Sequence, residues 1–167
     1  QLGTGHAARQ TEQALNGFKG NVLVLCGDMP LIKTETLERL LQQHKEVATK
    51  CSVLTLKSKA KHDFGRIIRD VDGSILKIVE HRDASPKEKI VDESNSGVYC
   101  FDKELFFKAL CCLGDDNDQK EYYLTDTLEY AMKNGYPVAS VQTKDTDEIF
   151  GINSPEDLKR AENLLEN

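Results

Sequence analysis

The side chains of this chain best suited to chemistry sit where apolar runs stop. NVLVLCGD, Asn21 to Asp28, is a continuous apolar run that ends in Gly-Asp. Open α/β sheets bind ligands outside the carboxyl ends of their strands. Asp28 therefore stands at a ligand-binding position. A carboxylate there, facing a phosphate, suits a hard divalent cation such as Mg2+. A turn aspartate ahead of Pro30, helped by Gly27, is the alternative and stays open. Asn153 lies in FGINSPEDL at a second strand-to-helix junction. Its amide oxygen is a legitimate ligand for a hard cation. A turn asparagine just before a Ser154 cap is the simpler alternative.

IVEH places Glu80 at the end of a strand with His81 beside it. The two could act as general acid and base, or Glu80 could accept hydrogen bonds from sugar hydroxyls. Neighbours on a strand point to opposite faces, which counts against a catalytic pair. Glu80 is then a binding carboxylate and His81 a surface residue. NSGVY puts Asn95 just before a strand, with Gly97 permitting close approach. EYYLTD carries Tyr122, Tyr123, Thr125 and Asp126 into a helix. Tyr and Thr hydroxyls suit a sugar, although tyrosine rings serve equally as packing. The opening QLGTGHAA has a Gly-Thr-Gly step that feeds a helix N-terminus. No Gly-x-Ser-x-Gly or His-Glu-x-x-His occurs, so these hydrolase signatures lend no support.

These residues need a scaffold, and its elements are legible. NVLVLCGD reads as a strand buried on both faces, the kind found in a parallel sheet. TETLERLLQQHKE follows, with Leu37, Leu40 and Leu41 at helical spacing and Thr34 as a plausible N-cap. CSVLTLK is the next strand, which completes a strand–helix–strand unit. GRIIRD, VDG and SILKIVEH form a hairpin around a glycine turn. DASPKEKIVDES reads as a loop, SNSGVYCFD as a strand, KELFFKALCCL and YLTDTLEYAMKNG as helices, and PVASVQT as a strand. SPEDLKRAENLLE is a terminal helix capped by Ser154 with Pro155 at its first position.

Composition narrows the function. At 167 residues the chain suffices for one domain with a real core. It is 39% hydrophobic and 30% charged, a globular profile. No apolar run approaches the ~20 residues that span a bilayer. A net charge of −6 with scattered basic residues, as in KSKAKH, argues against nucleic acid as a partner. The five cysteines are odd in number, contain no CxxC and fit a reducing cytoplasm. Cys26, Cys51 and Cys100 lie in apolar runs and are expected to be buried core thiols.

The order of these motifs is specific. QLGTGHA, LVLCGDMPLI, GRIIRD, ILKIVEHRDA, ESNSGVY, EYYLTD and EIFGIN resemble the N-acetylglucosamine-1-phosphate uridyltransferases, from the first residue to about Asn153. QLGTGHA and EYYLTD are more particular to this group than to other sugar-phosphate nucleotidyltransferases. The resemblance implies an α/β fold: a Rossmann-like, GT-A-like three-layer sandwich with a mostly parallel sheet and an antiparallel β insertion. It implies Mg2+-dependent uridylyl transfer from UTP to N-acetylglucosamine 1-phosphate. The products are pyrophosphate and UDP-N-acetylglucosamine, a cell-wall precursor. Gly3 and Thr4 should lie against the uracil, and Cys26, Gly27 and Asp28 should line the ribose and phosphates. Gly65, Glu80, Asn95, Tyr123 and Thr125 should hold the N-acetylglucosamine moiety. Asp28 and Asn153 should be the protein ligands of Mg2+.

The departures are also informative. Cys26 replaces a tyrosine often found before Gly-Asp, and Ser96 replaces the usual threonine beside Asn95. Family members begin with a strand, a Gly-x-Gly-Thr-Arg-Met-type loop and a phosphate-contacting lysine, none of which is in this chain. With Gln1 rather than Met at the start, the chain is expected to be a partial domain, N-terminally truncated and nearly inactive alone. An unpaired sheet edge or exposed apolar face should result, which dimerisation would cover. A nucleotidyltransferase for another base or sugar, and a non-catalytic chain that binds a sugar nucleotide or a partner, are the competing readings.

Overall fold

The computed structural model describes residues 2–59 and 63–166. Gln1 of the opening motif and residues 60–62 of the KSKAKH run lie outside them. The chain runs through α1 (Thr4–Arg9), β1 (Asn21–Val24), α2 (Thr34–Glu46), β2 (Cys51–Lys57), β3 (Arg66–Arg69) and β4 (Ile75–Val79). It continues through α3 (Pro86–Lys89), β5 (Glu93–Asp102), α4 (Lys103–Cys111), α5 (Asp126–Lys133), β6 (Val138–Thr143) and α6 (Pro155–Leu165).

Local chemistry sets most of these boundaries. The Asp102 carboxylate accepts from the Leu105 backbone N–H at 3.0 Å and starts α4 directly off β5. Ser154 caps α6 through the Asp157 N–H at 3.1 Å, with Pro155 inside the first turn. Gly135, at φ 79°, closes the end of α5 as a left-handed residue. The segment read as a loop around Pro86 contains the single turn α3. A reciprocal capping box between Ser85 and Glu88 holds it. Thr34 is not the cap of α2: Lys33 occupies that position without a side-chain bond, and Thr34 is the first helical residue.

β5 is the axis of the sheet. It pairs antiparallel with β2 along one side, and β2 pairs parallel with β6. On the other side β5 meets β3 at Ser94 and β1 from Tyr99 to Asp102, both antiparallel, while β3 and β4 form the expected hairpin. The α/β class holds, but the sheet is mixed rather than mostly parallel. Among the described residues only β2 and β6 run side by side in the same direction. The reason is β5, which leaves the hairpin region and returns through the middle of the sheet, so each of its neighbours opposes it.

Alternation along β2 and β5 divides the core in two. Cys51, Val53, Tyr99 and Phe101 face α4 and α5, where they meet Phe106, Leu110 and Leu128. Leu54, Leu56, Val98 and Cys100 face α2 and meet Leu40, Met29 and Ile149. Helices thus cover both faces, the three-layer arrangement the resemblance implies. β1 departs from expectation. Its residues are half-buried at best, and among the described residues its outer edge has no partner. Phe18 and Leu25, close to it in sequence, are exposed. The apolar run signals a strand correctly but not burial on both faces, and the open edge is the unpaired edge expected from the sequence.

Candidate active site

The sheet opens where β5 changes neighbours. Val53 pairs with Tyr99, but Thr55 pairs with Asn95, so β5 carries extra residues against β2 and bulges. Gly97 sits in that bulge at φ 81°, a conformation that disfavours any side chain. On the opposite side of β5, Asn95 to Val98 lie between the stretch paired with β3 and the stretch paired with β1. A cavity of about 720 Å³ occupies the gap. That size suits a small organic ligand.

One wall comes from the hairpin and the start of α5. The Glu80 carboxylate accepts from the Thr125 hydroxyl at 2.9 Å. Gly65 lies so close to Glu80 that a Cβ there would sit 3.4 Å from the carboxylate and 3.3 Å from the Val79 carbonyl. The Gly65 carbonyl accepts from the Asn95 N–H at 2.8 Å, and the Asn95 amide donates to the Tyr99 hydroxyl at 2.7 Å. Burial pushes the Glu80 carboxyl above its ordinary value. The Thr125 bond opposes that rise, and the Asp83 charge adds to it. Asp126 is pushed up to about 6 by burial and then by Glu129, Glu80 and Asp83. This wall can accept hydrogen bonds from hydroxyls and offers little to an anion.

The opposite wall joins the end of β1 to the start of α6. The Asp28 carbonyl accepts from the Ile152 N–H at 2.9 Å, which binds the two segments together. A Cβ on Gly151 would meet the Asp28 carboxylate at 3.3 Å and the Asn153 amide nitrogen at 3.5 Å. Both side chains therefore converge over this glycine. The Asn153 amide donates to the Gly151 carbonyl at 3.3 Å, which leaves its oxygen as the free acceptor. One carboxylate and one amide oxygen form a hard-oxygen pair. Mg2+ keeps several waters and takes substrate phosphates beside one or two carboxylates, so the donor chemistry suits a substrate-bound cation. Among the described residues no cluster of three or more His, Cys, Asp or Glu could hold a metal by itself.

Thr4, Cys26, Asp28, Gly65, Glu80, Asn95, Thr125 and Asn153 all line this cavity. Gly3, Gly27 and Tyr123 do not. Gly3, at φ 96°, is pressed against the Tyr122 backbone, where a Cβ would sit 2.6 Å from the carbonyl. The glycine is thus required by packing, and its neighbour Thr4 reaches the cavity instead. The Thr4 hydroxyl also accepts from the Leu124 N–H at 3.1 Å, which stitches α1 to the segment before α5. The Tyr123 hydroxyl accepts from Gln119 at 2.9 Å in a buried position. His81 does not line the cavity, and its Nε2 lies 3.4 Å from Asp63 at the cavity rim. Cys51 and Cys100 are buried as expected, but Cys26 is an exposed thiol on the cavity wall. The apolar run stops pairing at Val24, so Cys26 falls beyond the strand. Surrounding protein and the Asp28 charge still raise its pKa.

Phe64, Phe150 and Arg160 also line the cavity and were not singled out by sequence reasoning. Arg160 lies one turn after Asp157 in α6, and Asp157 accepts from the Asn153 N–H just ahead of the helix.

Over residues 1–157 the chain matches the family described as Nucleotidyl transferase. The chain belongs to the nucleotidyl transferase family. Among the curated relatives of this nucleotidyl transferase, the bifunctional protein GlmU of Bacillus cereus and that of Bacillus anthracis are each 44% identical over the whole chain. The chain spans 36% of the length of each. A UDP-glucose pyrophosphorylase solved with UDP-glucose superimposes with a TM-score of 0.74 at 19% identity. That likeness covers 99% of this chain and 63% of the other. A nucleoside-diphosphate-sugar pyrophosphorylase from Vibrio cholerae superimposes with a TM-score of 0.66 at 12% identity. It covers 96% of this chain and 64% of the other. Both likenesses speak to the fold, an open mixed α/β sheet with helices on both faces. No helix among the described residues is long and apolar enough to cross a membrane.

Proposed function

We propose that the cavity binds UDP-N-acetylglucosamine and that this domain serves uridylyl transfer from UTP to N-acetylglucosamine 1-phosphate. The observation that carries the reading is one cavity with two chemically distinct walls. Glu80, Thr125, Asn95 and Gly65 suit a sugar, and Asp28 with Asn153 suits a phosphate-bound cation. The 44% identity to GlmU proteins supports the choice of nucleotide and sugar.

In this reading an oxygen of the sugar 1-phosphate forms a bond to the α-phosphorus of UTP. The bond from that phosphorus to the bridging oxygen breaks, and pyrophosphate leaves. The attacking oxygen is already anionic, so positioning and charge neutralisation do most of the work. Glu80 accepts from a sugar hydroxyl while Thr125 holds the carboxylate in place. The Asn95 amide donates to Tyr99 and its oxygen accepts from the Gly97 N–H at 3.2 Å, which leaves its second N–H for the same sugar. Thr4, which lines the cavity, is given the uracil in this reading. A bound Mg2+, held by Asp28 and Asn153, would supply charge neutralisation between the phosphates. The cytoplasm is the proposed location, in keeping with five free cysteines.

Calorimetric titration with UDP-N-acetylglucosamine, with and without Mg2+, tests the proposal. The expected result is binding that Glu80→Gln weakens and Mg2+ strengthens. Binding that ignores Glu80→Gln contradicts the sugar assignment. The competing reading is a different uridine diphosphate sugar. Tighter binding of UDP-glucose would decide for it.

A further inference from the structure

A cavity that takes phosphates must balance their charge. Of the described residues that line it, Asp28, Asp63 and Glu80 carry carboxylates, and Arg160 is the one cation. Carboxylates repel a phosphate unless a cation stands between them. Arg160 therefore has a particular place in the electrostatics of the site.

Its geometry is that of a held but available group. Arg160 belongs to α6, whose start carries Asn153. Asp157, one turn before Arg160, accepts from the Asn153 N–H at 3.1 Å. The cation-ligand candidate is thus tied to the first turn of the helix that carries the guanidinium. The guanidinium lies over the Phe150 ring at 4.4 Å, and one terminal nitrogen donates to Asp147 at 2.9 Å. Stacking fixes its plane, and a single ion pair fixes one corner. The side chain is 57% exposed, so the Asp147 pair is a surface pair worth little on its own. A guanidinium has five N–H donors in a rigid fork, and most are left for a ligand.

We infer that Arg160 is a phosphate-contacting residue of this site, meeting the diphosphate of a bound nucleotide sugar from the Asn153 side of the cavity. The inference rests on the proposal that the cavity takes a nucleotide sugar. Phe150 orients the fork, and Asp147 holds it until phosphate oxygens take over one or more of its donors. Lysine in its place keeps the charge but loses the stack and the fork.

The test is titration of the full chain with UDP-N-acetylglucosamine in four forms: wild type, Arg160→Met, Arg160→Lys and Asp147→Asn. Loss of a charge-assisted bond in a partly exposed site corresponds to about tenfold weaker binding. Arg160→Met should show that loss and a flatter dependence of affinity on salt, and Arg160→Lys should recover part of it. Asp147→Asn frees the guanidinium and should bind as well as wild type or better. If Arg160 only props up its own loop, Asp147→Asn breaks the same contact and loses as much affinity as Arg160→Met. That result overturns the inference, as does wild-type affinity in Arg160→Met. Absence of binding by the folded wild type overturns the nucleotide-sugar reading itself, and this inference with it.

Discussion

Replacing Gly97 by alanine perturbs the point where β5 bends away to open the cavity. Gly97 has φ 81°, and an L-residue in the left-handed region costs about 1–2 kcal/mol. The new Cβ would sit 3.1 Å from the Cys26 sulfur. That sulfur also donates weakly to the Gly97 carbonyl at 3.8 Å and is on an exposed loop, so it can turn aside at modest cost. Together the two effects amount to about 2 kcal/mol, or roughly 4–8 °C in Tm for a domain of this size. Urea unfolding followed by far-UV circular dichroism measures the change as a lower midpoint at unchanged slope. Adding Cys26→Ala should recover only the steric part, about 0.5 kcal/mol. The reasoning fails if Gly97→Ala stays within about 0.5 kcal/mol of wild type. It also fails if the double variant recovers fully, since the backbone term would then be absent.

Three further outcomes follow from buried charge and capping. Asp126 titrates near 6 in the fold, above its unfolded value, so folding favours its protonated form. Its contribution to stability is therefore present at acidic pH and is lost as pH rises from about 4 to about 6. Asp126→Asn should gain about 1 kcal/mol at pH 7.5, after discounting for partial exposure, and nothing at pH 4, measured by urea unfolding at both values. Arg69 clamps the buried Glu93 with two bonds of 2.7 and 2.6 Å. Arg69→Met should cost about 3 kcal/mol by leaving that carboxylate unpaired, whereas Arg69→Met with Glu93→Leu should recover most of it in the same assay. Ser154→Ala removes the cap beside Asn153 and should cost about 1 kcal/mol in thermal unfolding.

The sequence was most legible where local pattern alone decides structure. The buried run CSVLTLK, the Leu37–Leu40–Leu41 spacing, the hairpin around Gly73 and the Ser154–Pro155 start of α6 all depend on nearby residues. Strand direction and neighbours were not legible in this way. An apolar run looks the same in a parallel or an antiparallel sheet, so the mixed sheet around β5 and the partial exposure of β1 were misjudged. The capping box at Ser85 and Glu88 was readable but masked by Pro86, which serves equally in a loop or a first helical turn. At the site, most residues picked for their chemistry converge on one cavity, because the loops and element ends that carry them gather around the bulge of β5. Gly3 and Tyr123 fall outside it because packing against Tyr122 and Gln119 takes up their close approach and hydroxyl. Arg160 was passed over because basic residues are scattered along the chain, and only the fold places this one at the cavity.

The central claim is that the opening at Gly97, between the Glu80 wall and the Asp28–Asn153 wall, is where a nucleotide sugar binds. The most direct measurement is the change in backbone amide NMR signals as UDP-N-acetylglucosamine is added in the presence of Mg2+. The account predicts that the amides of Gly65, Gly97, Thr125 and Gly151 move together, each with the same saturation, while those along α2 stay in place. Signals that move elsewhere and leave these four unchanged would contradict it.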